Sequence, residues 1–586
     1  MALLPLHSTN GKAGPGLGTR KVREKALLLF IFACFVLICF GALNFAPESW
    51  DKGNAGISLS SIQTSRPYHV EVLARPDQIL ARIRNHVKAD VADVADVDSV
   101  TDAVTTSKAT LKYLDIDVSS LDKSSPQYRR LFVKKMAQHA WRGYEKYAWG
   151  ENELKPLSQR GHSASVFGAT HMGATIVDSL DTLHIMEMTE EFERAKKWVT
   201  NELNFDQDAF VSTFEMTIRF VGGLLSTYAL TKDEALKNKA LEIAEKLLPA
   251  YNSPTGIAYS LVHLRRGEGK NWNWSPGKAS ILAEVGTMQL EMAYLTELTG
   301  RKEFHEKAHA AREALFKPDR PQGLFYNYIS PENGNWGKKH VSLGALGDSF
   351  YEYLLKAWLQ TNKQDTRARE MFDEAIEAIG KQLIARAEND PKKLVYLREL
   401  MNTRPLEKMD HLACFSGGMY ALGSLGAPAD KRDMYMQIGK NLTETCHESY
   451  DRAGAKLGPE SFYFNGGAAA KGTVARQRYY IQRPEVIESY FYLWRLTKEQ
   501  KYRDWGWEAA QAIEEHCRVE NGYSGIKDID SVPVTHDDVQ QSFLLAETFK
   551  YLYLLFSEDD VLPLDQWVFN TEAHPLPVLR GLPSGA

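Results

Sequence analysis

Acidic side chains recur at a nearly constant interval inside the most apolar helical segments of this chain. Glu and Asp are seldom fully buried without a partner, so an acidic residue in one apolar helix after another is unusual. The series includes one histidine, and its successive spacings are 69, 64, 63, 74 and 62 residues. Its members are Glu215, Glu284, Asp348, His411, Glu485 and Glu547. This regularity predicts repeated units that each deliver one polar group to a common place.

The repeated unit is predicted to be a helical hairpin. Helical periodicity dominates from about Tyr128 to Phe556 and indicates fourteen helices, in which more apolar members alternate with more charged ones. Leu-Thr turns at 230–231 and 298–299, which are 68 residues apart, support the repeat. Seven hairpins closed into a toroid would bury the apolar helices and bring the acidic groups to one mouth. An open solenoid remains the alternative, although no polar capping repeats are evident.

A charge-free segment near the N-terminus predicts a membrane anchor. Residues 26–43 (ALLLFIFACFVLICFGAL) carry no charge, and 44–46 extend the segment towards the ~20 residues that a spanning helix needs. A cleaved signal peptide is the alternative, but the run is long for one and ends in a poor cleavage site. Residues 1–25 hold five basic side chains and one acidic, a net charge of +4. This charge predicts a cytosolic tail at 1–25, an anchor at 26–46 and a lumenal body.

Residues 47–125 are predicted to form a lumenal stem, because small, polar and acidic residues dominate, as in DVADVADVDSV at 90–100. A small folded domain is the less favoured alternative. The net charge of the whole chain, −5, gives no indication of nucleic-acid binding.

Cys414, Cys446 and Cys517 lie in the body, where disulfides persist in a secretory lumen. Three cysteines allow one bridge and one free thiol, and the sequence leaves every pairing open.

The carboxylate series indicates acid–base chemistry or cation binding. Single members have simpler interpretations: Glu215 and Arg219 could form an ordinary i,i+4 helix pair, and Glu485 could merely favour the dipole of its own helix. Several carboxylates at one period are better explained together by a carboxylate-lined pocket. No Ser/His or Cys/His arrangement accompanies them. Glycoside hydrolysis needs such a pair, because one carboxyl group protonates the leaving oxygen while another activates water or attacks.

The C-terminal segment 562–577 (LPLDQWVFNTEAHPLP) is not helical and is predicted to form a strap. It either packs on the surface or delivers oxygen ligands from 570–572 to the acidic pocket. A hard cation such as calcium takes carboxylates, carbonyls, hydroxyls and waters. The chain has no calcium-loop motif, and it lacks the CxxC and HExxH spacings that indicate zinc.

Six segments, in order along the chain, together resemble the class I α-1,2-mannosidases of glycoside hydrolase family 47. They are DSLDTLHIMEM, FEMTIRFVGGLLSTY, GDSFYEYLLKAWL, FSGGMYALG, RPEVIESYFYLWRLT and VFNTEAHPLP. The resemblance runs from about residue 126 to 578. It implies an all-α (α/α)₇ barrel at 126–579, followed by a short tail at 580–586. It also implies inverting hydrolysis of α-1,2-linked mannose on high-mannose N-glycans, from Man9 towards Man5, with Ca²⁺ as cofactor.

The resemblance assigns roles to individual residues. Glu215 corresponds to the family's candidate general acid, acting through a water, and Asp348 and Glu485 correspond to two further catalytic carboxylates, one of which is the base. Thr571 corresponds to the residue that gives calcium its hydroxyl and carbonyl oxygens. Positions that line the sugar site correspond to Arg219, Glu284, Leu346, His411, Arg483, Glu488, Phe543, Glu547 and Glu572. Cys414 and Cys446 correspond to the family's disulfide pair, which leaves Cys517 free.

The anchor, the stem and Leu346 are similar to the Golgi members of the family, whereas an Arg stands at the position of Leu346 in the ER type. The expected location is therefore the Golgi membrane, as a single-pass type II protein. A lectin-like relative in ER degradation is an alternative, but such relatives generally lack the Cys414 and Cys446 equivalents. A membrane-tethered helical scaffold is a second alternative, which the buried carboxylate series disfavours.

Overall fold

The computed structural model describes residues 122–464 and 469–581, and this part of the chain is mostly helical. The α-helices of the first half are α1 Pro126–Tyr147, α2 Ala174–Ile185, α3 Thr189–Asn201, α4 Thr213–Glu215, α5 Gly222–Thr231, α6 Glu234–Leu247, α7 Leu282–Val285, α8 Gln289–Thr299 and α9 Glu303–Phe316. Those of the second half are α10 Asp348–Gln360, α11 Thr366–Gln382, α12 Ser416–Gly423, α13 Ala429–Asp451, α14 Glu485–Thr497, α15 Lys501–His516 and α16 Phe549–Leu555.

The helices pack as seven pairs within the described residues. Six pairs are consecutive in the chain, and the seventh joins the last helix to the first; they are α2–α3, α5–α6, α8–α9, α10–α11, α12–α13, α14–α15 and α16–α1. The first-named members pack against one another in that order, and the turn 544–548 before α16 packs against α2. The helices therefore close into a ring, as the toroid prediction requires and an open solenoid does not.

The inner and outer helices differ in which side chains they bury. On the outer helix α6, Leu236, Ala240, Ile243 and Leu247 form a buried stripe, and the Asp233 side chain caps the helix by accepting from the Ala235 amide. The inner helix α5 is buried at nine of its ten positions. This contrast explains why the sequence alternates between charged and apolar helices.

Short antiparallel strands connect the helices, which departs from the all-α prediction. The strands of the first half are β1 Glu153–Lys155, β2 Arg160–His162, β3 Phe210–Ser212, β4 Leu261–His263, β5 Gly269–Lys270, β6 Ser280–Ile281, β7 Tyr328–Ile329 and β8 His340–Val341. Those of the second half are β9 Ile384–Arg386, β10 Val395–Leu397, β11 Glu399–Met401, β12 Arg404–Leu406, β13 Lys408–Asp410, β14 Ser461–Tyr463, β15 Arg518–Val519, β16 Gly522–Tyr523, β17 Trp567–Phe569 and β18 Pro575–Pro577.

These strands form sheets of two or three members, and two of them lead directly into predicted site residues. β3 pairs with β4 in the register Ser212↔Leu261, and the turn that follows holds Glu215. β13 pairs with β14 in the register Asp410↔Ser461, immediately before His411. These strand pairs thus fix the backbone from which site residues project.

The predicted strap lies inside the ring. β17 and β18 pair in the register Val568↔Leu576, and the hairpin packs against the inner helices α5, α8 and α10. Its tip, 570–574, is buried except for the partly exposed Thr571. The prediction that this segment enters the pocket, rather than lying on the surface, is confirmed.

The predicted tail, anchor and stem, at 1–25, 26–46 and 47–125, lie outside the described residues apart from 122–125. Among the helices that the structure describes, none is long and apolar enough to cross a membrane. α1 begins at Pro126, with Ser125 as its N-cap.

A disulfide joins Cys414 to Cys446, and Cys517 is a buried free cysteine, in agreement with the pairing that the family resemblance implies. The bridge connects the turn before α12 to the C-terminal part of α13.

Removing this bridge should destabilise the protein. Cys414→Ala or Cys446→Ala should lower the free energy of unfolding by about 3–4 kcal/mol, because the bridge closes a loop with a sequence separation of 32. Denaturant unfolding of the non-reduced chain measures the effect. Cys517→Ala is the matched control, since it removes a buried thiol without opening a covalent loop. Equal losses in all three variants would contradict a stabilising role for the bridge.

Candidate active site

A cavity within the ring gathers most of the predicted site residues. Asp348 and Glu485 are the first residues of α10 and α14, so both carboxylates project from helix N-termini into it. The described residues that line it include seven carboxylates and two arginines. The charged members are Arg219, Glu284, Asp348, Glu352, Arg483, Glu485, Glu488, Glu547 and Glu572, and the strap adds Thr571.

Arg219 is the centre of a buried ion-pair network on one wall. Its Nε donates to Glu215 Oε2 at 2.8 Å. Its Nη1 contacts Asp178 Oδ2 at 3.2 Å and also contacts the Glu572 carboxylate. The Ser542 hydroxyl also accepts from Arg219 Nη1 at 3.2 Å and donates to Asp178 Oδ2 at 2.5 Å. The network therefore joins α2, the strap and the segment before α16, and it holds Glu215 beside a permanent positive charge.

Arg219 lies on a π turn, Met216–Val221, between α4 and α5. A second π turn, Leu544–Thr548, carries Glu547. π turns insert a residue into a helix and are frequent at functional sites, because they redirect side chains that a regular helix would place elsewhere. Both turns here redirect a charged residue towards the cavity.

Glu485 is held by a histidine and lies near an arginine. His411 Nδ1 lies 2.7 Å from Glu485 Oε2, and Arg483 Nη1 lies 4.0 Å from Glu485 Oε1. Arg483 itself makes a bidentate pair with Glu460, at 2.6 and 2.7 Å. Burial alone would raise the pKa of Glu485, but the hydrogen bond from His411 and the charge of Arg483 outweigh it and lower that pKa. Glu485 is therefore held as a carboxylate.

Asp348 has the opposite electrostatic character. Burial raises its pKa to about 7, and the Ser349 amide, which donates to Asp348 Oδ1 at 2.9 Å, only partly offsets this. Burial also raises the pKa of Glu284 to about 7, although Trp272 Nε1 donates to its Oε1 at 2.8 Å. Asp348 and Glu284 can therefore hold a proton near neutral pH, whereas Glu485 does not.

A dense group of acids lies on the wall formed by α10, α14 and the turn before α16. Lys356 pairs with Glu352 and lies 3.8 Å from Glu488 Oε1. Burial, only partly offset by Lys356, raises the pKa of Glu488 to about 8. Burial and then the neighbouring carboxylate of Glu572 raise the pKa of Glu547 well above its usual range. Glu488 and Glu547 can therefore hold protons near neutral pH, and carboxyl groups outnumber lysines on this wall.

The tip of the strap is fixed by Asn570 and by a buried ion cluster. Asn570 Nδ2 donates to the Ile218 carbonyl at 2.9 Å and to Glu291 at 2.8 Å, while its Oδ1 accepts from the amides of Glu572 and His574, both at 2.9 Å. Next to it, Asp181 contacts Lys550 Nζ at 2.9 Å and His574 Nδ1 at 2.8 Å, and all three side chains are fully buried. These contacts position Thr571 and Glu572.

Most of the predicted site residues line the cavity, and three lie just behind it. Glu215 and His411 are absent from the lining and contact it through Arg219 and Glu485. Leu346 is partly exposed two residues before Asp348, with φ of +78°, and its carbonyl accepts from the Ala283 amide at 2.9 Å. His411 contacts the cavity residue Glu485, and Leu346 precedes the cavity residue Asp348 by two positions, so contact of either residue with the sugar stays a prediction.

Sequence reasoning missed Asp178, Glu352 and Lys356. Glu352 follows Asp348 by four residues on α10, so helical spacing alone could have placed it on the same face. Asp178 lies in DSLDTLHIMEM, in a helix buried at eleven of its twelve positions, which is the same anomaly that marked the other acids.

The cavity is chemically suited to a hard divalent cation. Its polar lining is dominated by oxygen atoms, and its carboxylates outnumber its arginines. In the described part of the chain, no three His, Cys, Asp or Glu side chains are grouped as metal ligands. A cation in this cavity would meet the oxygens of Thr571 and of the surrounding carboxyl groups, and water would complete its coordination.

Comparison with known proteins decides the family. The model of glycosyl hydrolase family 47 matches residues 136–578, which is most of the chain. The chain belongs to glycosyl hydrolase family 47. A relative from Mus musculus named mannosyl-oligosaccharide 1,2-alpha-mannosidase IB is 45% identical to this family 47 chain, over 96% of the chain and 93% of the relative.

Two further matches agree with this membership. A Drosophila melanogaster relative named mannosyl-oligosaccharide alpha-1,2-mannosidase IA is 54% identical, over 77% of the chain and 67% of that protein. The solved structure of an alpha-1,2-mannosidase from Trichoderma reesei superimposes with a TM-score of 0.70 at 27% identity, covering 77% of this family 47 chain and 99% of that one. That match supports the (α/α)₇ barrel for the described ring of helices.

Proposed function

We propose that this chain removes terminal α-1,2-linked mannose from high-mannose N-glycans, from Man9 towards Man5, with inversion, during glycoprotein maturation. Hydrolysis of α-1,2-mannosides follows from family membership and from the named activity of relatives that match nearly the whole chain. The observation that carries the proposal is the arrangement of Asp348 and Glu485 at one cavity, with Glu215 directly behind its wall. Such a set of carboxylates supplies both the acid and the base that glycoside hydrolysis requires.

The surroundings of each carboxylate favour different roles. Glu485, held ionised by His411, takes the proton of the attacking water. Glu215 is paired with Arg219, which favours its ionised form, so it orients a water at the glycosidic oxygen rather than supplying the proton itself. Asp348, with a pKa of about 7, holds a proton at neutral pH on the acid side of the site. The Oε2 atom of Glu284, which makes no close hydrogen bond with another described residue, is available to a sugar hydroxyl.

A calcium ion held by Thr571 would polarise and orient sugar hydroxyls within the cavity. The chain's own contribution is to fix Thr571 at the strap tip, where Tyr353 Oη lies 3.4 Å from its amide. We further propose that residues 26–46 anchor the chain in the Golgi membrane, with the barrel in the lumen. The Cys414–Cys446 bridge favours this processing role over that of a lectin-like relative in ER degradation.

Incubation of the full-length chain with a Man9 glycan tests the proposal. Free mannose should appear with time, and proton NMR of the first product should show β-mannose, because an inverting enzyme converts the α-linkage to the β-anomer. An ER-degradation lectin would bind the glycan without releasing mannose. Initial α-mannose would instead contradict the inverting geometry.

Leu346→Arg should narrow product formation from Man5 towards Man8. Arg offers five donors in a fixed fork, whereas Leu offers only apolar surface and leaves space for several glycan branches. A time course of glycan products from both forms measures the change. Leu157→Arg, at an exposed leucine outside the cavity lining, is the control for the added charge. A wild-type enzyme that stops at Man8, or a variant that reaches Man5 at an unchanged rate, would contradict this role of Leu346.

A further inference from the structure

Three side chains form a continuous hydrogen-bonded chain that leads from the cavity residue Glu485 outwards to α13. Glu485 Oε2 lies 2.7 Å from His411 Nδ1, and His411 Nε2 lies 2.7 Å from the Tyr450 hydroxyl. His411 and Tyr450 are 1% and 3% exposed, so water does not substitute for either partner. Tyr450 belongs to α13, an outer helix, and it does not line the catalytic cavity.

The disulfide holds this chain at its outer end. Cys414 follows His411 by three residues, and Tyr450 follows Cys446 by four, which is one turn of α13. The bridge therefore joins the two segments within one turn of the His411–Tyr450 contact. The His411 backbone is fixed as well, because its amide donates to the Glu460 carbonyl at 2.9 Å and its carbonyl accepts from the Cys414 amide at 2.9 Å.

The contact with the Tyr450 hydroxyl bears on which ring nitrogen of His411 carries the proton. A neutral imidazole has one donor and one acceptor nitrogen, and its partners decide which is which. Burial raises the pKa of Tyr450 well above its usual range, so the hydroxyl keeps its proton and can donate it to Nε2. With Nε2 accepting, the proton of the ring lies on Nδ1, which faces Glu485.

We propose that Tyr450 is a positioning residue for the hydrolytic reaction: its hydroxyl donates to His411 Nε2 and thereby fixes the tautomer whose Nδ1–H donates to the Glu485 carboxylate. This inference rests on the proposed role of Glu485 as the base. The arrangement obeys the same physical rule as a catalytic triad, in which a buried group selects the tautomer of a histidine. Here the histidine serves a carboxylate.

Loss of the hydroxyl should change the state of Glu485. Without a donor at Nε2, the Nε2–H tautomer becomes accessible, and Nδ1 then presents a lone pair to the carboxylate. That pairing is favourable only when Glu485 is protonated, and a protonated Glu485 cannot take a proton from water. The other titratable or charged groups that act on Glu485 stay in place; they are Arg483, Glu488, Asp348, Glu547 and Tyr480.

Tyr450→Phe is the decisive variant, because it keeps the ring and removes only the hydroxyl. In the full-length chain with Man9 as substrate, kcat should fall about tenfold with KM nearly unchanged, since substrate contacts remain. The acidic limb of kcat/KM should move to higher pH by about one unit, because a weaker donor to the ionised base raises its pKa. Tyr490→Phe is the matched control: Tyr490 is equally buried, and its hydroxyl contacts His447 Nδ1 at 3.1 Å outside the cavity.

A double-mutant cycle separates positioning from packing. The amide of His411→Asn can donate to Glu485 without help from Tyr450, so adding Tyr450→Phe to His411→Asn should cause no further shift of the pH profile. The tautomer itself is measurable in the wild-type chain by ¹⁵N NMR of histidine, with His411 assigned from its loss in His411→Asn. We expect a protonated Nδ1 and an unprotonated Nε2, and this holds as a test even where Tyr450→Phe fails to fold.

Opposite results would overturn the inference. A wild-type pH profile in Tyr450→Phe would leave Tyr450 with a packing role only, and so would the same shift of the profile in Tyr490→Phe. A protonated Nε2 of His411 in the wild-type chain would exclude the proposed tautomer. Failure of the proposed function is distinguishable, because in that case the wild-type chain releases no mannose in the same assay.

Discussion

Glu485→Gln should lower kcat by a factor of about 10²–10⁴ while leaving the fold intact. The amide is nearly isosteric with the carboxylate but cannot accept a proton from water, and its NH₂ group would face His411 Nδ1 at the 2.7 Å contact. Mannose release from Man9 under saturating substrate measures kcat, and circular dichroism checks the fold. Glu508→Gln on α15 is the control, because it removes a carboxylate outside the cavity lining. Retention of more than a tenth of wild-type kcat in Glu485→Gln would exclude Glu485 as the base.

Removal of calcium should abolish activity and lower the melting temperature together. A cation that binds only the folded chain stabilises it by mass action, by about 2.7 kcal/mol at a concentration a hundredfold above its Kd. Chelation followed by calcium addition should reverse both effects.

Thr571→Val should weaken both calcium responses, because it keeps the β-branched shape and removes one of the two oxygens that the residue offers. Thr200→Val, on the outer helix α3, serves as the control. It removes a hydroxyl that donates a hydrogen bond to a carbonyl of its own helix. Full activity after exhaustive chelation would remove calcium from the proposed mechanism.

The sequence predicted the repeated framework well, because one physical cause produced both the pattern and the fold. Each inner helix must bury its whole surface, so an acid within it stands out, and the closed ring brings these acids to one cavity. The helices α4, α10 and α14 begin at Thr213, Asp348 and Glu485, each within two residues of a member of the predicted acidic series. The positions of the site carboxylates along the helices could therefore be predicted from the sequence alone.

The contacts between these residues could not be predicted from the sequence in the same way. Arg219 meets Glu572 across 353 residues of sequence and Ser542 across 323, and no local pattern encodes such pairs. The two π turns depend on a single inserted residue, which periodicity over a longer window does not detect. Strands of two or three residues are likewise too short to show alternation.

The packing of α16 against α1, and of the strap inside the ring, sets the time at which this molecule can become functional during its synthesis. Roughly 450 residues separate the start of α1 from the end of the strap, which is about 20–90 s of translation at ordinary rates. Throughout that interval the inner helices lack their last neighbours, and the tip with Thr571 has not yet emerged. A nascent chain is therefore inactive and exposes apolar helix faces until its final segment is released, so its yield should depend on chaperones that protect the chain for about a minute.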